Sequence, residues 1–138
     1  MDNELFTACS EGNIEYMRDY LINGGDPNYV FNNEVPILFY AVSDNQREII
    51  NLLLEHGANI NLQDQFGQTA LFLIVDGCID GMIQSGEEIE NDSIETINFI
   101  LSKGADPNLP DNNGLTALGV AEHYNYQPII ELLRGKNS

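Results

Sequence analysis

A chain of 138 residues with 43% hydrophobic content is long enough for one globular domain with a buried core. Its 22 acids against 5 bases give a formal charge of −17 at pH 7, which argues against binding nucleic acid or anionic lipid, because both rest on Lys and Arg. That charge suits either plain solubility and mutual repulsion, hence a monomer, or a basic protein partner drawn in by electrostatic steering.

The best apolar run, Pro36 to Val42, is seven residues, against about 20 for a membrane-spanning helix. The start, Met-Asp-Asn-Glu, lacks the basic and apolar segments of a secretory signal, so a cytoplasmic location is expected. Cys9 and Cys78 lie 69 positions apart and match no metal spacing. Two reduced thiols are expected, one in a core and one in a loop.

In chain order, Asn3 to Cys9 reads as a short, truncated helix, and Ile14 to Leu21 as a second one with apolar residues at three- and four-residue steps. Gly24-Gly25-Asp26-Pro27-Asn28 then stops it, Gly being the usual left-handed terminator. Glu34 to Leu38 opens another short helix, with Pro36 where later copies have Thr, and Arg47 to Leu54 repeats the longer stripe. Gly57-Ala58-Asn59-Ile60-Asn61 follows, 33 residues after the first such phrase. Thr69 caps the next short helix in Gly67-Gln68-Thr69-Ala70-Leu71, and Ile94 to Leu101 is its longer partner. Gly104-Ala105-Asp106-Pro107-Asn108 comes 47 residues after the second phrase, 14 more than the period. Gly114-Leu115-Thr116-Ala117-Leu118 and Pro128 to Leu133 complete a last pair.

A unit of turn, short helix, longer helix and Gly-Ala-Asp-type loop resembles the ankyrin repeat, and Asp64 to Phe72 and Asp111 to Leu118 look like the family's Asp-x-x-Gly-x-Thr-Pro-Leu-His opening. Phe39, Phe72 and Gly119 stand where the family usually has His. The resemblance implies an all-α solenoid, one domain over 1–138 with repeats at about 1–30, 31–63, 64–110 and 111–138. Single units cannot bury their apolar faces, and stacking makes a continuous core.

The resemblance also implies projecting β-turn or hairpin fingers, tipped by Tyr29 to Asn33, Gln63 to Phe66 and Pro110 to Asn113, and a concave face lined by the short helices. Position by position, Thr7, Ser10 and Glu11, then Tyr40, Ser43 and Asp44, then Leu73 and Asp76, then Val120, His123 and Tyr124 face that groove. The expected partner-binding residues are Glu11, Tyr29, Phe31, Tyr40, Asp44, Gln65, Phe66, Asp76, Asn112, His123 and Tyr124: aromatics beside acids, as in binding hot spots. Phe31 and Phe66 can equally pack sideways between fingers. Asn28, Asn61 and Asn108 read as turn residues that bond nearby backbone.

The 14 extra residues fall within Asp76 to Asp92, a stretch with six acids and no base. Gly77, Gly81 and Gly86 argue against a long regular helix there and predict an acidic loop insertion, either solvated or partner-binding; the EF-hand pattern of a calcium site is not reproduced. His56 and His123 have no second ligand at metal spacing, and no nucleophile elbow, phosphate loop or dinucleotide fingerprint occurs. No catalytic residue, cofactor or metal is expected. The chain reads as a protein-interaction module and not an enzyme. Small acidic ankyrin-like proteins also resemble the antidotes that bacteria pair with secreted toxins, which sets an immunity-type inhibitor beside the general reading.

Overall fold

The computed structural model describes residues 2–86 and 91–135, and eight helices hold most of them. These are α1 (Asp2–Glu11), α2 (Ile14–Ile22), α3 (Ile37–Ser43), α4 (Arg47–Glu55), α5 (Ala70–Ser85), α6 (Asn91–Ser102), α7 (Ala117–His123) and α8 (Gln127–Gly135). Local chemistry sets their ends. Asn13, Thr69 and Thr116 each accept a hydrogen bond from a first-turn amide, those of Tyr16, Phe72 and Gly119. Pro36, at the same place before α3, supplies no such bond. Gly24, Gly57 and Gly104, with φ between 94° and 100°, turn the chain after α2, α4 and α6.

Each outer helix buries one stripe: Met17 and Leu21, then Ile49, Ile50, Leu52 and Leu53, then Ile97, Ile100 and Leu101, then Ile129, Ile130 and Leu133. The inner helices α1, α3, α5 and α7 pack successively on one another, while α2 packs on α4 and α6 on α8. One apolar core therefore runs the length of the stack. Arg47, at the start of α4, reaches α6 with its guanidinium 3.6 Å from the Asp92 carboxylate, 3.4 Å from that of Glu95 and 3.3 Å from the Thr96 hydroxyl.

Between outer and inner helices lie three fingers. In each, a four-residue turn closes with an amide donating to a carbonyl: Glu34 to Phe31, Gly67 to Asp64 and Gly114 to Asp111. The amides of Phe31, Asp64 and Asp111 bond back to the carbonyls of Val35, Gln68 and Leu115. Among the described residues only the first finger forms a β-bridge, between Val30 and Pro36.

The repeated asparagines bond across units. Asn28 accepts the Asn59 amide at 2.8 Å; Asn61 accepts the Asp106 amide at 2.8 Å and donates to the Gly104 carbonyl at 3.1 Å. Each ties its loop to the next one along, a longer reach than the local turn bonding that the residue type predicts.

The insertion corrects the sequence reading. Residues 76–85 form no loop: α5 runs unbroken for 16 residues through Gly77 and Gly81, and ends at Gly86 with φ 76°. Ile74, Val75 and Ile79 are buried along its length, and that burial outweighs the glycine cost of about 1 kcal/mol per site. The acidic stretch 87–90 lies outside the described residues. Among those described, no helix is long and apolar enough to cross a membrane, and no group of three or more His, Cys, Asp or Glu is placed to hold a metal.

Candidate partner-binding face

The inner helices put one matching position after another along a single side of the stack. Thr7 and Glu11 on α1 are exposed, as are Ser43 and, directly after α3, Asp44. Tyr40, Leu73 and Asp76 are half-buried, and His123 and Tyr124 are exposed, their rings 4.9 Å apart at 82°. Val120 is buried and leaves this row. Asp80, one turn beyond Asp76 on the extended α5, adds an exposed carboxylate that the loop reading could not place on this face.

The electrostatics of the face are visible in Asp76. Burial first, and the charge of Asp80 second, push its carboxyl above the usual range. Asp44 acts inward as well. Its charge adds to burial in raising the Cys9 thiol to about 12, and that thiol donates to the Ile37 carbonyl at 3.8 Å. A cation arriving beside Asp76 and Asp80 would relieve the repulsion between those two carboxylates.

The finger residues divide. Phe66 is 58% exposed at its tip. Gln65 and Asn112 are engaged with each other: Asn112 donates from its side chain to the Gln65 carbonyl at 3.0 Å and from its backbone to the Phe66 carbonyl at 3.0 Å. Gln63 donates to the Pro110 carbonyl at 3.1 Å, so the second and third fingers are locked together. Phe31 is no open anchor. It is 8% exposed, enclosed by Phe6, Tyr29 and Tyr40, in the place where Asp64 and Asp111 bond the amides of their own fingers.

Phe6 is the residue that sequence reasoning passed over. Phe39 and Phe72, at the matching place in α3 and α5, are 5% and 3% exposed, whereas Phe6 is 40% exposed against Tyr40. The repeat alignment marks Phe6 as equivalent to two core residues, and only the packing shows it uncovered.

A family model described as ankyrin repeats (3 copies) matches residues 5–84. The crystal structure of EF0377, an ankyrin repeat protein, superposes with a TM-score of 0.74 at 26% identity, covering 95% of this chain and 62% of that one. Among curated relatives, the fowlpox virus (strain NVSL) ankyrin repeat protein FPV233 is 40% identical over 52 residues, which is 38% of this chain and 10% of that protein. An ankyrin repeat-containing protein of Schizosaccharomyces pombe, P1E11.10, is 32% identical over 69 residues, 50% of this chain and 33% of the other. Potassium channel AKT1 of Arabidopsis thaliana is 33% identical over 63 residues, 46% of this chain and 7% of the channel. The chain thus spans a third or less of the length of these curated relatives. With more than half its residues inside the family match and its helix pairs stacked as in EF0377, the chain belongs to the ankyrin-repeat family of typically non-enzymatic protein-interaction modules.

Proposed function

We propose that the chain binds a basic protein through its acidic concave face. The observation that carries this reading is how the charges are sorted. Arg18, Arg47 and Arg134 lie on the outer helices α2, α4 and α8, and Lys103 directly follows α6. No inner helix and no finger carries a Lys or Arg, yet they carry Glu4, Glu11, Asp26, Glu34, Asp64, Asp76, Asp80, Asp106, Asp111 and Glu122, and Asp44 directly follows α3. The fifth base, Lys136, lies outside the described residues. A field of one sign over a concave surface steers oppositely charged proteins and speeds their encounter. Glu11, Asp44 and Asp76 supply the charge in this reading, with Tyr40, Tyr124, His123 and Phe66 as contact surface and Tyr29, Phe31, Gln65 and Asn112 as its support.

The test pairs two variants of equal charge change. One neutralises the inner side (Glu11→Gln, Asp44→Asn, Asp76→Asn), the other the outer helices (Glu15→Gln, Glu48→Gln, Glu131→Gln). Immobilised wild type and outer variant should retain the same basic proteins from a host lysate and release them as salt rises, because screening shortens the reach of charge. The inner variant should lose them. Equal retention by all three chains, or equal loss from both variants, contradicts the assignment to this face.

A further inference from the structure

Where α1, α3 and the first finger meet, four rings form an edge-to-face cluster that the fold leaves partly open. Phe6 and Tyr40 lie 4.8 Å apart at 88°, Phe6 and Phe31 6.1 Å apart at 82°, Phe31 and Tyr40 5.6 Å apart at 74°, and Tyr29 and Phe31 5.1 Å apart at 84°. Phe31 is the buried floor, and Asn33 donates to the Tyr40 hydroxyl at 2.7 Å, which fixes that ring. Phe6 remains well exposed and Tyr40 half-exposed. The carboxylates of Glu11 and Asp44, at the ends of the same two helices, are exposed, as is that of Glu34 on the finger. Since neither the inner helices nor the fingers carry a base, no cation of their own competes for these rings. The chain does use a ring this way on its outer side, where Lys103 Nζ sits 5.4 Å from the Phe99 centroid.

Carboxylates alone attract lysine and arginine alike. An uncovered aromatic surface within the same negative field does not, because guanidinium is flat, weakly hydrated and stacks on rings, whereas ammonium holds its water. Resting on the reading that the concave face receives a basic partner, we infer that this cluster takes an arginine of that partner in preference to a lysine. The guanidinium lies on Phe6 and Tyr40, within the negative field of the inner helices and the first finger.

Two synthetic peptides of equal length and charge, one with arginine and one with lysine at every second position, are titrated calorimetrically into the whole chain. Wild type should bind the arginine peptide about tenfold more tightly, the size of a desolvated cation–ring contact. Phe6→Leu and Tyr40→Leu should each bring the two peptides close to parity with little change for lysine, while Asp44→Asn weakens both by the same factor. Thermal melts establish that each variant is folded, and Phe6→Leu, at an exposed position, keeps the test sound should Tyr40→Leu fail to fold. Equal binding of the two peptides by wild type, or an unchanged preference in Phe6→Leu, overturns the arginine site and leaves the acidic face standing. Failure of both peptides to bind overturns the two together.

Discussion

Glu34 sits at φ 67°, where the second and third fingers place Gly67 at 76° and Gly114 at 82°. A side chain in the left-handed region costs about 1–2 kcal/mol, part of which glycine returns through its freer unfolded chain. Glu34→Gly should therefore stabilise the protein by about 0.5–1 kcal/mol, seen as a higher urea midpoint; a lower midpoint would show that Glu34 holds its finger by contacts. Cys9 yields a pH prediction. Its thiol, ordinarily 9.0, is raised to about 12 by burial and by Asp44, so the folded chain favours the neutral thiol. The unfolded chain ionises first, and stability present below pH 9 is lost as pH climbs toward 12, by about 1.4 kcal/mol per unit. Urea midpoints above pH 9 should fall more steeply in wild type than in Cys9→Ala; parallel slopes would contradict this. At this scale the turn role of Asn28 and Asn61 was legible, since Asn suits tight backbone. Their bonds to Asn59 and Asp106 were not, because residue type does not say which loop lies alongside.

Helix α5 is where propensity and packing disagree. Three glycines within ten residues argue for a loop. The structure instead continues the helix, because Val75 and Ile79, one turn apart, both reach the core, and only Gly86 is used as a terminator. Gly77 and Gly81 have open space where a side chain would stand, with no atom within 4 Å. Alanine at either position should thus stabilise α5 by about 0.5–1 kcal/mol, with a rise in melting temperature and no loss of helical circular dichroism. A fall would mean that residues 77–85 do not stay helical in solution. The other helices were legible because their stripes recur in one register, and Thr116, like Thr69 at the start of α5, is the residue type that a cap requires.

Across the whole molecule, the repeat period fixed the serial stack, and position-for-position matching then predicted the groove. Matching failed where neighbours differ: Phe31 and Val120 are covered, while Phe6 is not. It also explains the last pair. Glu122 stands where Val42 and Val75 are buried, and Arg134 where Leu101 is; the two form an ion pair with each other, giving that end a polar surface. The sorting of charge, acids throughout and, among the described residues, bases only on or directly after the outer helices, was already present in the sequence, but it acquires meaning only once helices are assigned to rows. Zero-length carbodiimide crosslinking of a captured complex, read by mass spectrometry, tests this arrangement most directly. Partner lysines should join to Glu11, Asp44, Asp76 and Asp80 on the inner side. Crosslinks concentrated instead on Glu15, Glu48, Glu95 and Glu131 of the outer helices would contradict it.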